Sequence, residues 1–264
     1  MERKIKHLTI MYLVFLSLLF ASGGVGGIIG NLIYALAFLL PFVAFVVVEK
    51  KNGGFKVEYL KCDKKVISNT ILFCAPAVLV IMVASIVTSM IIFNLTGQSN
   101  NVELGDSLWI SLLSHALVPA VLEELLFRYI PIRMLSSHSK RVTVLLSAFF
   151  FAMIHHSLFS IPYAFIAGIL FMSLDLAIGS IWPSVIIHFL NNAVSVLIMF
   201  GLGGVVLPLL LILSLISAVI IVLKADKIKN LFAPLTSVGE KFRIGTEIVV
   251  FTAVTLLIAV LTLF

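Results

Sequence analysis

The sequence predicts an all-α fold, a polytopic transmembrane helical bundle of about eight to nine helices. Three observations predict it. Of 264 residues 61% are hydrophobic and only 11% charged, and the mean hydropathy of +1.22 lies far outside soluble globular composition. The apolar residues are gathered into runs near the ~20 residues that a helix needs to cross a bilayer. All 18 Lys and Arg fall between alternate runs, which puts them on one side if nine helices alternate.

Taken in order, residues 1–6 are basic and 8–22 apolar, followed by Gly23-Gly24-Val25-Gly26-Gly27. A basic start, a short apolar core and small residues also describe a signal peptide. The next apolar segment follows at once, so the reading is a first helix that stays in place. The other spans are expected at 28–48, 66–95, 108–126, 142–156, 161–178, 182–200, 205–223 and 247–264. Arg3, Lys4 and Lys6 precede the first span, and Lys50, Lys51, Lys56, Lys61, Lys64 and Lys65 follow the second. Arg128, Arg133, Lys140 and Arg141 follow the fourth, and Lys224, Lys227, Lys229, Lys241 and Arg243 the eighth. The opposite loops carry Glu103 and Asp106 but no basic residue. The expected amino terminus is therefore cytoplasmic and the carboxyl terminus outside.

This distribution accounts for the net charge of +6 without nucleic acid as a partner. Cys62 in a Lys-rich loop and Cys74 in an apolar run imply neither a disulfide framework nor a zinc ribbon. The chain divides into N-terminal helices 1–107, a core 108–200 and C-terminal helices 201–264, all one membrane unit. No loop is long enough for a separate domain, so the function is expected within the bilayer.

The conspicuous groups are the polar residues inside apolar runs. Glu123 and Glu124 are adjacent, and Arg128 lies four residues after Glu124 on the same helical face, where the pair can neutralise itself. Glu123 points about 100° away and needs a partner from another helix. Asp175 is the third acid within a span. His155 and His156 end the fifth span; alone they read as interfacial histidines, or as an imidazole serving as ligand or general base. His188 and Asn192 are four apart on one face of the seventh span. They could be a hydrogen-bonding pair joining helices, worth ~0.6 kcal/mol, or part of a site. Together, three helices supply a carboxylate, an imidazole, and an imidazole with an amide. General acid–base chemistry and oxyanion stabilisation need such a set. One Glu and two His could equally hold zinc with an open fourth position, although the H-E-x-x-H signature is absent.

In order, Glu123-Glu124-x-x-x-Arg128, Phe151-x-x-x-His155 and His188-x-x-x-Asn192 resemble the three motifs of the CPBP family. These are the type II CAAX prenyl endopeptidases and bacteriocin-processing or immunity proteins, also called the Abi family. Ser147-Ala148 and Trp182-Pro183-Ser184 are similar to the family's usual context, and the resemblance covers roughly 108–200. It implies an intramembrane endopeptidase acting on a peptide or protein substrate, with Glu123 and His155 activating the attacking water. His188 and Asn192 would stabilise the oxyanion or add coordination, with Glu124 and Arg128 in support. A bound metal would be held by Glu123, His155 and His188. The family is described both as zinc metalloproteases and as metal-free glutamate enzymes, so the cofactor is left unassigned. His156, beside the motif histidine, leaves the register open by one residue.

Prenylated CAAX substrates belong to the eukaryotic branch. The compact chain with short loops resembles the bacterial members, which implies a bacterial cell membrane and a role in bacteriocin self-immunity or peptide processing. Two other readings stand beside this one. One is a catalytically inactive immunity protein that sequesters its partner. The other is a proton-coupled transporter with Glu123, Glu124, Asp175 and the histidines as relay; that fold class favours paired internal repeats, and none is visible.

One spacing strains the common site. At 1.5 Å per residue His155 lies ~20 Å from Arg141, while Glu123 and His188 are nearer ~10 Å from their cytoplasmic ends. The strain eases if the fourth helix runs on towards Arg133, burying Arg128 against Glu124, and if the fifth is tilted. The site is expected in the cytoplasmic half of the bilayer.

Overall fold

In hydrocarbon the backbone finds no water, so an apolar chain satisfies its N–H and C=O groups internally as helix. The computed structural model describes residues 2–23, 27–51, 54, 57–99, 107–236 and 246–261, and among them there is no strand. The helices are α1 (Glu2–Gly23), α2 (Gly27–Lys51), α3 (Lys64–Thr96), α4 (Leu108–Met134), α5 (Lys140–Met153), α6 (Ile161–Ile178), α7 (Trp182–Leu197), α8 (Gly203–Leu223), α9 (Ala225–Phe232) and α10 (Thr246–Leu261). Glu103 and Asp106 of the expected acidic loop lie outside the described residues. So do Lys56, Lys241, Arg243 and the last three residues of the expected final span.

Among the described residues, five stretches are long and apolar enough to cross a membrane: Leu32–Lys51, Lys64–Thr96, Leu108–Met134, Ile161–Ile178 and Trp182–Leu223. The last has 42 residues, ~63 Å as straight helix against ~30 Å of hydrocarbon. Gly201, at φ 83°, breaks it. Only glycine adopts that conformation without a Cβ clash, and it separates the two arms α7 and α8 where two spans were expected.

The fifth element departs from expectation. α5 has 14 residues, ~21 Å, and is too short to cross the hydrocarbon alone. It stops at Met153, so His155 and His156 lie in the turn after it, where His156 takes φ 50°. A left-handed residue cannot continue a right-handed helix.

Local signals set the helix starts. Asp63 Oδ1 accepts the Val66 N–H at 2.8 Å to open α3, and Ser139 Oγ accepts the Val142 N–H at 3.3 Å to open α5. α6 closes at Gly179, φ 82°, whose N–H donates to the Asp175 carbonyl at 2.8 Å.

Packing then gathers α4, α6 and α7, with α3 also against α7. α5 lies close on α6, because a Cβ built on Gly168 would stand 2.7 Å from the Ala148 Cα. α1 locks onto α4 by an aromatic contact. Tyr12 stacks on Phe127 with centroids 4.8 Å apart, and its hydroxyl donates to the Leu126 carbonyl at 3.0 Å. At one end of the bundle, Ile181 N–H donates to the Tyr59 carbonyl and Trp182 Nε1–H to the Leu60 carbonyl, both at 2.9 Å. Arg133 holds Glu49 at 2.8 Å and also the Gly54 carbonyl. The α2–α3 loop, the end of α4 and the α6–α7 turn are thereby tied together.

Candidate active site

α4 is continuous to Met134, but two π-helical turns interrupt it, at Leu112–Leu117 and Leu125–Tyr129, on either side of Glu123 and Glu124. Such turns are often found at functional sites. Two prolines belong to the same design. Proline has no N–H to give the carbonyl one turn back. Pro119 therefore withholds a donor from the carbonyl of His115, and Asn192 Nδ2–H reaches that carbonyl at 3.1 Å. Pro131 withholds one from the carbonyl of Phe127. That oxygen accepts the Ser147 hydroxyl at 2.5 Å and Arg128 Nη1–H at 3.1 Å. Both carbonyls become tertiary anchors, one for α7 and one for α5.

Arg128 and Glu124 are both fully buried. Arg128 Nε lies 3.0 Å from Glu124 Oε2, an ion pair whose N–H is not aimed squarely at that oxygen. Arg128 Nη1 also donates to Ser147 Oγ at 3.1 Å. The guanidinium sits over the ring of Phe151, 4.4 Å from its centroid, so aromatic faces supply part of the stabilisation that water would have given. The other carboxylate oxygen of Glu124 is used as well: His188 Nδ1–H donates to Oε1 at 2.8 Å. A carboxylate that accepts from Nδ1 fixes the tautomer and the ring orientation. Glu124 is thus a bridge from Arg128 on its own helix to His188 on α7.

His188 turns its other nitrogen towards Glu123, with Nε2 3.9 Å from Oε2. That oxygen is buried and has no hydrogen-bond partner among the described residues. Glu123 and His188 line a cavity of about 190 Å³ together with His155, Asn191 and Asn192. His155 Nδ1–H donates to the Phe151 carbonyl at 2.8 Å, which leaves Nε2 as an acceptor. Of the two adjacent histidines, it is His155 whose side chain lines this cavity. Asn192 is oriented from two sides, its amide donating to the His115 carbonyl and its oxygen accepting from Asn191 Nδ2 at 3.2 Å. A second cavity of about 350 Å³ shares Ile81, Tyr163, Asn191 and Asn192 with the first and extends past His115, Ser85 and Met199.

The strained depths are reconciled by α4. Glu123 lies ~16 Å from the helix end at Met134, close to the depth of His155.

Sequence reasoning left two features unassigned. Asp175, on α6, is fully buried, and its Oδ1 accepts the Ser184 N–H at 3.0 Å. α7 has no side-chain cap of its own at Ile181, and Pro183 brings no N–H. Ser180 Oγ takes the Trp182 N–H at 3.2 Å, and Asp175 takes the next one available. Asp175 is therefore a remote N-cap, its carboxyl oxygen serving an N–H one turn before His188. The other feature is Ser147, the hydroxyl between Arg128 and the Phe127 carbonyl. The signals were present as Pro183 at a helix start where Ser180 can serve one N–H alone, and as Pro131 four residues after Phe127.

The expected metal set does not fit. Zinc needs its nitrogen and oxygen ligands ~2.0–2.2 Å away. Among the described residues no three His, Cys, Asp or Glu side chains are grouped to hold a metal ion. Glu123, His155 and His188 share a cavity, and the bonds at His188 Nδ1 and His155 Nδ1 leave Nε2 of each ring available, so it is the spacing of the three groups, not their ring nitrogens, that falls short.

No curated protein matches the chain, and no solved structure matches it. Residues 105–194, about a third of the chain, match the family model described as Type II CAAX prenyl endopeptidase Rce1-like. That segment carries Glu123, Glu124, Arg128, His155, Asp175, His188 and Asn192. Over it the chain is similar to the type II CAAX prenyl endopeptidases, the family its three ordered motifs resemble.

Proposed function

We propose that the protein is an intramembrane endopeptidase that hydrolyses a peptide bond in a peptide or protein segment held at bilayer depth. The observation that carries this is the unpaired Glu123 Oε2, facing His188 Nε2 across a cavity that His155 and Asn192 also line. A water donating one hydrogen to Glu123 and the other to His155 Nε2 would be oriented for attack. Its oxygen bonds to the scissile carbonyl carbon while Glu123 takes the proton, general-base work worth 10²–10⁴-fold. The carbonyl electrons move onto oxygen, where the Asn192 amide N–H stands as a donor and His188 lines the same cavity. Glu123 then returns its proton to the leaving nitrogen as the C–N bond breaks. Glu124 and Arg128 hold His188 in place and touch no substrate in this scheme.

The polar groups of Asn191, Asn192 and Ser85 in the adjoining cavity suit an unwound segment, whose backbone must find partners once its helix opens. The basic segments tied together at one end of the bundle support a cytoplasmic face there, with the site reached from that half of a bacterial cell membrane. Peptide processing or bacteriocin self-immunity is the role we propose for such a chain. Comparing peptides released by membranes carrying wild-type protein and Glu123→Gln tests the activity. A product present in the first and absent in the second is expected, and identical peptide profiles would refute hydrolysis. For the orientation, Cys62 is expected to resist an impermeant thiol reagent applied outside intact cells. Labelling there would reverse the topology.

A further inference from the structure

A second cavity system lies behind the helix that carries His188. It is a groove of about 610 Å³ between α3, α7 and α8, and α9 closes its end. Its depth is apolar but for Ser217: Cys74 from α3, Ile186 and Leu190 from α7, and Ile216 from α8. Its mouth is different. Lys224 and Lys227 stand there with Asn69, at the end of the bundle where α8 stops. α9 is amphipathic and runs on from that point: its Lys227 and Lys229 are exposed, while Phe232 packs edge-on against Phe73 at 5.8 Å. This is how a helix lies at the headgroup level of a bilayer. The groove therefore starts at headgroup depth between two ammonium groups and an amide, and descends into hydrocarbon. Asp226 lies about 100° round α9 from Lys227 and is not among the residues that line the groove.

We infer that this groove binds one phospholipid of the surrounding bilayer with an anionic headgroup, its phosphate at Lys224 and Lys227 and an acyl chain along Ile186, Leu190 and Ile216. An apolar crevice in a membrane has acyl chains as its only solvent. The headgroup choice follows from charge: each Lys near an anionic headgroup adds to the attraction, and Asn69 adds a neutral donor. A groove of like size between α5 and α10 provides a contrast. Its walls are apolar apart from Thr252, so it has no means of choosing a headgroup. The inference is independent of peptide hydrolysis, because the groove and the cavity of Glu123 lie on different faces of α7.

Native mass spectrometry of the full chain from detergent containing equal phosphatidylglycerol and phosphatidylcholine reads the preference. Wild-type protein is expected to retain one phosphatidylglycerol, and Lys224→Gln/Lys227→Gln to retain several-fold less with an unchanged melting temperature. Cys74 locates the site. With Cys62→Ser leaving it the sole cysteine, phosphatidylglycerol should slow its alkylation several-fold, while phosphatidylcholine or inorganic phosphate should not. Thr252→Cys, in the contrasting groove on the Cys62→Ser/Cys74→Ser background, should show no headgroup preference. Equal retention of the two lipids, or retention unaffected by the Lys pair, would overturn the inference. So would slowing of Cys74 by both lipids alike.

Discussion

α4 and α8 are both apolar helices of membrane-crossing length, and they handle their polar groups in opposite ways. α8 keeps them local: Ser214 Oγ donates to its own helix, to the Leu210 carbonyl at 2.7 Å, and large side chains such as Leu209, Leu215 and Val219 remain exposed. α4 sends its polar groups outward. Glu124 reaches α7, the Phe127 carbonyl reaches α5 through Ser147, and the His115 carbonyl reaches α7 through Asn192. α8 carries one internal proline, Pro208, but no π turn within it, and it keeps its serine on its own backbone with its large side chains turned outward. The helix interrupted by π turns and prolines leaves groups that only neighbouring helices can satisfy, and it is drawn to the centre. In a bilayer an unmet backbone or charged group costs several kcal/mol, so irregularity in α4 helps organise the bundle.

Substitutions sharpen this contrast. The largest loss of stability should follow Arg128→Leu, which strands Glu124 between His188 and an apolar side chain. Breaking a buried pair from one side costs ~3–5 kcal/mol, so folded yield and melting temperature in detergent should both fall. An unchanged melting temperature would mean that Arg128 is not structurally needed. Asp175→Ala should cost less, about 1–2 kcal/mol for a lost cap. Asp175→Asn, which still offers an oxygen to the Ser184 N–H, should recover most of it. Failure of Asn to recover stability would show that the charge matters more than the hydrogen bond. Ser214→Ala on α8 should change stability by less than ~0.5 kcal/mol, because its hydroxyl serves a carbonyl of its own helix. A loss as large as that of Asp175→Ala would erase the distinction between the two helices.

What was legible in the sequence were features a helix repeats locally. The Glu124–Arg128 pair follows from i,i+4 geometry, and the apolar runs anticipated the long helices, including the division of Trp182–Leu223 at Gly201. Pairings set by tertiary packing were less legible. Glu124 read as a partner for Arg128 alone, yet its second oxygen holds His188, 64 positions away. Asp175 read only as an intramembrane acid and a relay group of the transporter alternative, because a cap supplied by a neighbouring helix leaves no local pattern. The short α5 was half legible: its expected span, 142–156, was already brief, and the helix stops at Met153, with His156 left-handed in the turn that follows.

The central claim is that Glu123 does chemistry while Glu124 and Arg128 hold the site together. Glu123→Gln keeps the size and most of the hydrogen bonding of the side chain but cannot accept the water's proton. Purified Glu123→Gln and wild-type protein should be compared for melting temperature and for cleavage of one substrate found in membranes. The account predicts nearly equal melting temperatures and a turnover lower by about 100-fold or more. A Glu123→Gln enzyme that remains active, beside an Arg128→Leu protein that is stable but inert, would contradict it.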